Sequence, residues 1–164
     1  MDGVHLSSNC FSGRTAYGIR NVVDALEPEL SQLYCVVHGD FLEYSSLNGK
    51  ALSDEEDNKL DDEYSRHLLA EHDSQELKLF DRGVLLRFRN YLCGDWTSFC
   101  LLSAKVALQT IEPWTNKIPA ECEIFISCVD EGYWEVYARD DSLLLRLTER
   151  FSNCSPCNLE DKSV

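Results

Sequence analysis

Apolar side chains recur at Ile19, Val22, Val23, Leu26 and Leu30, the three-and-four spacing of one helix face. Pro28 complicates the end of that helix, where it can open a short second helical turn without losing a hydrogen bond. Two short β-prone runs follow, Leu33 to Val37 and Phe41 to Ser45, separated by His38-Gly39-Asp40. They read as a hairpin, with Gly39 free to take a positive φ. From Ser53 to His72, Leu60, Tyr64, His67 and Leu68 mark a second apolar stripe. Ser53 with Glu56 three residues on is a capping-box pattern, and Asp54, Glu55 and Asp57 suit the positive end of a helix dipole.

The stretch from Glu76 to Glu112 carries mixed periods. Leu77, Leu79, Val84, Leu86 and Phe88 alternate around Asp81-Arg82-Gly83 as strands would, although a helix fits parts of the run. Gly94-Asp95 is a break, and Asp95 is placed to cap a helix through Phe99, Leu102, Val106 and Leu108 that stops at Glu112-Pro113. The pattern then turns cleanly to period two. Cys122, Ile124, Ile126 and Cys128 alternate, Asp130-Glu131-Gly132 turns the chain, and Trp134, Val136 and Ala138 alternate again. Asp140 or Asp141 caps a final helix with Leu143, Leu144, Leu147 and Phe151 on one stripe.

The expected fold is therefore α+β: one domain over residues 16–153, antiparallel hairpins packed with several helices, ending in a β-β-α unit. Residues 1–15 read as a polar lead-in and 154–164 as a polar tail. The 164 residues suit a single domain with one real core. Seven Phe, seven Tyr and three Trp supply large burial per residue and argue against disorder.

Charge changes the picture most. Twenty-nine acidic against fifteen basic residues leave a formal net charge of −14. That field opposes nucleic-acid binding, which begins with Lys and Arg displacing counterions, and anionic membrane surfaces. It favours encounter with a basic protein. Met1 to Gly13 lacks a basic stretch followed by an apolar run, and no apolar segment has the length to span a bilayer. The expected location is the cytoplasm, where the eight cysteines would be reduced thiols packed as small hydrophobes.

Candidate chemistry is sparse. Cys154-Ser-Pro-Cys157 has redox spacing but follows a helix instead of opening one. His67 and His72, five apart, do not stack on one helix face as metal ligands. Cys35 and His38 flank one turn, where a buried thiol and a turn histidine compete with a catalytic pair. No nucleophile elbow, phosphate loop, zinc-protease or dinucleotide motif is present. No catalytic residue, metal or cofactor is assigned. The acidic run Asp54, Glu55, Glu56, Asp57, Asp61, Asp62 and Glu63 lacks the central Gly of a calcium loop. It reads either as a charged face for Lys and Arg of a partner or as a helix face that only meets water. Tyr133, Glu135 and Tyr137 share the outward side of the terminal hairpin and are a second candidate surface.

The run Tyr-Trp-Glu-Val-Tyr-Ala-Arg-Asp-Asp-Ser-Leu-Leu-Leu-Arg-Leu, residues 133–147, resembles the strand-then-helix endings of small acidic immunity proteins of bacterial toxin systems. The resemblance implies a non-enzymatic protein that docks on a basic toxin and neutralises it. An enzyme of hydrolase type, its site assembled only in the fold, and a structural subunit of a larger complex remain the alternatives.

Overall fold

The computed structural model describes residues 1–7, 15–39, 42, 50–92, 97–111, 118, 120–128 and 133–159, and side chains of all these except 15–18 and 128. Among them are eight strands and five helices in the order β1 (Asp2–Ser7), α1 (Thr15–Ala25), α2 (Glu27–Leu30), β2 (Tyr34–His38), α3 (Asp54–His67), β3 (Leu68–His72), β4 (Leu77–Phe80), α4 (Val84–Phe88), β5 (Ser98–Leu102), β6 (Cys122–Cys128), β7 (Tyr133–Ala138), α5 (Asp141–Arg150) and β8 (Ser155–Asn158). The strands form one antiparallel sheet in the order β3-β4-β2-β5-β6-β7-β1-β8. The class is α+β.

Local chemistry sets the helix ends. In α2, Pro28 stands in the first turn, where a missing N–H costs nothing. At α3, Ser53 Oγ accepts from the Glu56 amide at 3.4 Å, and the Glu56 carboxylate accepts from the Ser53 amide at 2.9 Å. This capping box satisfies two otherwise orphan donors. Asp140 caps α5 by accepting from the Ser142 amide at 2.9 Å.

One face of the sheet carries the helices. Ile19, Val22, Val23 and Leu26 of the first helical stripe are fully buried there, with Leu143 and Leu147 of α5, Leu60 of α3, and Phe80, Phe99, Leu101, Ile124, Ile126, Trp134 and Val136 from the strands. The opposite face has a smaller core of Val36, Leu77, Leu79, Cys100, Leu102 and Cys122, covered by Leu108 and Ile111 beyond β5. That second core occupies the β4–β6 part of the sheet. At the β7-β1-β8 end, the same face is polar.

Several expectations need correction. The supposed polar lead-in contains β1, which pairs with β7 and β8. The tail contains β8, so the chain continues past the β-β-α unit into a further strand. The helix from Ser53 stops at His67, and 68–72 is an edge strand in hairpin with β4, joined by a 3-10 turn and Glu76 at φ 52°. Val84–Phe88 is helical, entered through Gly83 at φ 75°. Residues 98–102 are a strand: Phe99 and Leu101 face one core while Cys100 and Leu102 face the other. A run buried on both sides loses its alternation and mimics a helix. β2 pairs with β4 and β5, neither adjacent in sequence. Its expected partner at 41–45 lies outside the described residues except Leu42, which bridges Leu92. The breaks expected at Gly94-Asp95 and Asp130-Glu131-Gly132 also lie outside them. No helix among the described residues is long and apolar enough to cross a membrane.

Candidate functional site

The acidic run falls on α3 as a surface. Only Leu60 of the helix is buried, with Tyr64 packing edge-on against Phe80 at 5.1 Å. Those anchors turn the opposite side of the helix outward. Asp54, Glu55, Glu56, Asp61 and Asp62 are exposed, while Asp57 and Glu63 are half-buried. Three of the seven carboxylates have local work. Glu55 pairs with Lys59 at 2.6 Å, Glu63 with Arg87 at 3.5 Å, and Glu56 closes the capping box. The Ser53 backbone and hydroxyl hydrogen bonds hold the Glu56 carboxyl below the usual carboxylate range. Asp54, Asp61 and Asp62 have no ion-pair partner among the described residues. Spacings of seven and eight put them on one stripe, about 10–12 Å long at 1.5 Å per residue.

The second candidate surface is not what exposure on the hairpin predicts. Tyr133 is half-buried, but Glu135 is 5% and Tyr137 1% exposed. The sheet does not end at β7, and β1 and β8 extend the same face beyond it. Tyr137 lies across β1 at Gly3, where an added side chain would collide with its ring. Its hydroxyl donates to the Glu135 carboxylate at 2.8 Å, and the Cys157 thiol flanks the same hydroxyl. Burial first, then the Glu135 interaction, pushes the Tyr137 phenol well above its ordinary range. On the other side, His5 Nδ1 stands 3.5 Å from Glu135, and the imidazole packs on Tyr133 with ring centroids 4.4 Å apart.

Strand register extends this cluster into a polar row. His38 faces Ser98, Ser98 faces Ser127, Ser127 faces Glu135, Glu135 faces His5, and His5 faces Ser155. The Ser98 and Ser127 hydroxyls share a hydrogen bond at 3.2 Å. Six strands thus contribute one polar residue each. Sequence reading missed this row because its members are separated by up to 150 positions. The signal nearest to hand was Gly3, His5 and Ser7 alternating with Val4 and Leu6, a strand pattern at the very start of the chain.

The cysteine motifs resolve on the same geometry. Cys154 packs with the helix-side core and donates to the Phe151 carbonyl at 3.2 Å, whereas Cys157 faces Tyr137 on the opposite side of the sheet. Extended backbone between them separates the two thiols. Cys35 and His38 are likewise three apart on a strand and face opposite sides. His67 is engaged by Asp81 at 2.8 Å, and His72 by Ser74 at 3.2 Å. Among the described residues no group of three or more His, Cys, Asp and Glu is placed to hold a metal ion. A groove of about 940 Å³ runs between β8 and α5, lined by Val4, Leu144, Leu145, Phe151, Cys154 and Pro156 among others.

Comparison with protein-family models, with curated proteins and with solved structures finds no match.

Proposed function

We propose that this chain is a non-enzymatic binding protein that docks on a basic protein partner through the outward face of α3. A toxin neutralised by such docking is the partner class that the immunity-protein resemblance implies. The observation that carries the reading is the Asp54, Asp61 and Asp62 stripe, three exposed carboxylates on a helix anchored by Leu60 and Tyr64. A rigid row of unpaired charge steers an oppositely charged partner and can pair with its Lys and Arg side chains. The glutamates already engaged, Glu55 and Glu63, frame that row.

Poly-L-lysine serves as the basic probe. The chain should bind it at low salt and release it as salt screens the charges. The triple variant D54N/D61N/D62N should bind several-fold more weakly than E121Q/E149Q/D73N, which removes the same charge from other exposed positions. Equal weakening by both triple variants would reduce the effect to net charge and remove the α3 face as the docking surface.

A further inference from the structure

The helix-side face of the sheet is not filled at its β8 end. α5 packs on β1 and β7, and between α5 and β8 lies the groove of about 940 Å³. Val4 and Pro156, opposed across β1 and β8, line it from the sheet, and Leu144 and Phe151 line it from the helix and its end. Leu145 completes the lining at 59% exposure, the most exposed large apolar side chain among the described residues. Leu143, Leu144 and Leu147 of the same helix are buried, so folding leaves this one leucine in water beside an open apolar groove.

The charge of the groove has one sign. Its only charged lining side chains among the described residues are Asp2 and Asp141, and both are exposed. Asp2 accepts from the Asn158 side chain at 2.7 Å, which holds it against β8. Asp141 stands four residues before Leu145, one turn away on the same face of α5. Neither carboxylate has an ion-pair partner among the described residues.

We propose that this groove docks an extended peptide segment of the basic partner in which apolar residues alternate with Lys or Arg. The proposal rests on the basic-partner reading and adds a second contact to it, far from α3, which packs on β4 through Tyr64 and Phe80. Successive side chains of an extended segment point to opposite sides. The apolar ones enter between Leu144, Leu145 and Phe151, and the long stems of Lys or Arg bend back to Asp2 and Asp141. A second copy of this chain fits poorly, because two molecules of net charge −14 repel. Edge-to-edge pairing is also blunted. The Leu159 amide donates to the Met1 carbonyl, so by two-residue alternation Pro156 and Asn158 turn their backbone groups to the open edge, and Pro156 has no N–H to give.

Two dye-labelled peptides of equal charge, KLKLKLK and KSKSKSK, test the groove by fluorescence anisotropy on the full-length chain at near-physiological salt. KLKLKLK should bind on the order of tenfold more tightly, the effect of burying a leucine side chain. Leu145→Ser should bring the two affinities together. D2N/D141N should weaken KLKLKLK several-fold, and D54N/D61N/D62N should leave the ratio of the two peptides unchanged. All of these side chains except Leu145 are polar and all six are exposed, so the core is untouched, and circular dichroism verifies folding. Equal binding of the two peptides by wild type, an unchanged ratio in L145S, unchanged KLKLKLK binding in D2N/D141N, or loss of the ratio in the α3 variant would overturn the proposal. Sedimentation that finds a wild-type dimer abolished by L145S would assign the groove to a second copy and overturn it too. The poly-L-lysine comparison decides the α3 face separately, since neither of its triple variants touches the groove.

Discussion

The Tyr137 hydroxyl donates to Glu135, two residues away on the same strand, at 2.8 Å in a site that is almost closed to solvent. Both side chains leave the strand on one face, and the tyrosine ring lies over Gly3 of the neighbouring strand to reach back. The contact is thus local in sequence but made possible by a strand from the other end of the chain.

Removing the hydroxyl should therefore matter. Tyr137→Phe leaves a buried carboxylate without that donor, and hydrogen bonds to charged groups contribute about 1.5–3 kcal/mol. The expected loss of stability is in that range, read from urea unfolding with an unchanged denaturant slope.

Gly3→Ala tests the close approach. The added methyl group meets the Tyr137 ring and the Val136 carbonyl, and overpacking of this kind costs about 1–3 kcal/mol. In a Tyr137→Ala background the same change should cost clearly less. Equal cost in both backgrounds would place the strain elsewhere.

Stability should fall on the alkaline side. Burial raises Cys35, hydrogen bonding with Cys122 and then burial raise Cys100, and burial raises Tyr137. A group raised in the folded state holds its proton there after the unfolded chain has released it. Its stabilising contribution is complete below the unfolded pKa and is lost as pH rises above it, from about 8.5 for the thiols and about 10 for the phenol. Cys100→Ala should flatten the first part of that decline and Tyr137→Phe the second, in unfolding curves collected from pH 7 to 11.

At the acid end, Ser53→Ala should bring the Glu56 pKa back up toward its ordinary value, measured by carboxyl-carbon NMR titration. Glu56 is lowered in the folded state, so its contribution is present above the unfolded value, about 4.3, and fades as pH falls through the folded one. The stability difference between wild type and S53A should shrink accordingly below pH about 4.

Cys154 and Cys157 should not close on each other. Mild oxidation of the native chain followed by non-reduced peptide mapping should reveal no disulfide between them, because Cys154 packs against the helix-side core and Cys157 meets Tyr137 on the opposite face of the sheet. Unfolding in urea removes that separation and should permit the bond.

What the sequence determined by itself was local. The stripe Ile19–Val22–Val23–Leu26, the Ser53–Glu56 capping box, the alternating β6 and β7, and the Asp140-capped α5 are each written within about a dozen neighbouring residues, where period and cap chemistry act. The acidic face of α3 was legible for the same reason, since helical spacing places Asp54, Asp61 and Asp62 together. Tertiary structure decided the rest. Ser98–Leu102 is a strand because neighbours distant in sequence supply its hydrogen bonds and a second buried face, and Leu68–His72 is one because β4 pairs with it across a tight turn at the sheet edge. Glu135 and Tyr137 are interior because β1 and β8, from the two ends of the chain, continue the sheet past the hairpin. The row from His38 to Ser155 exists only through strand register, which no short-range pattern encodes.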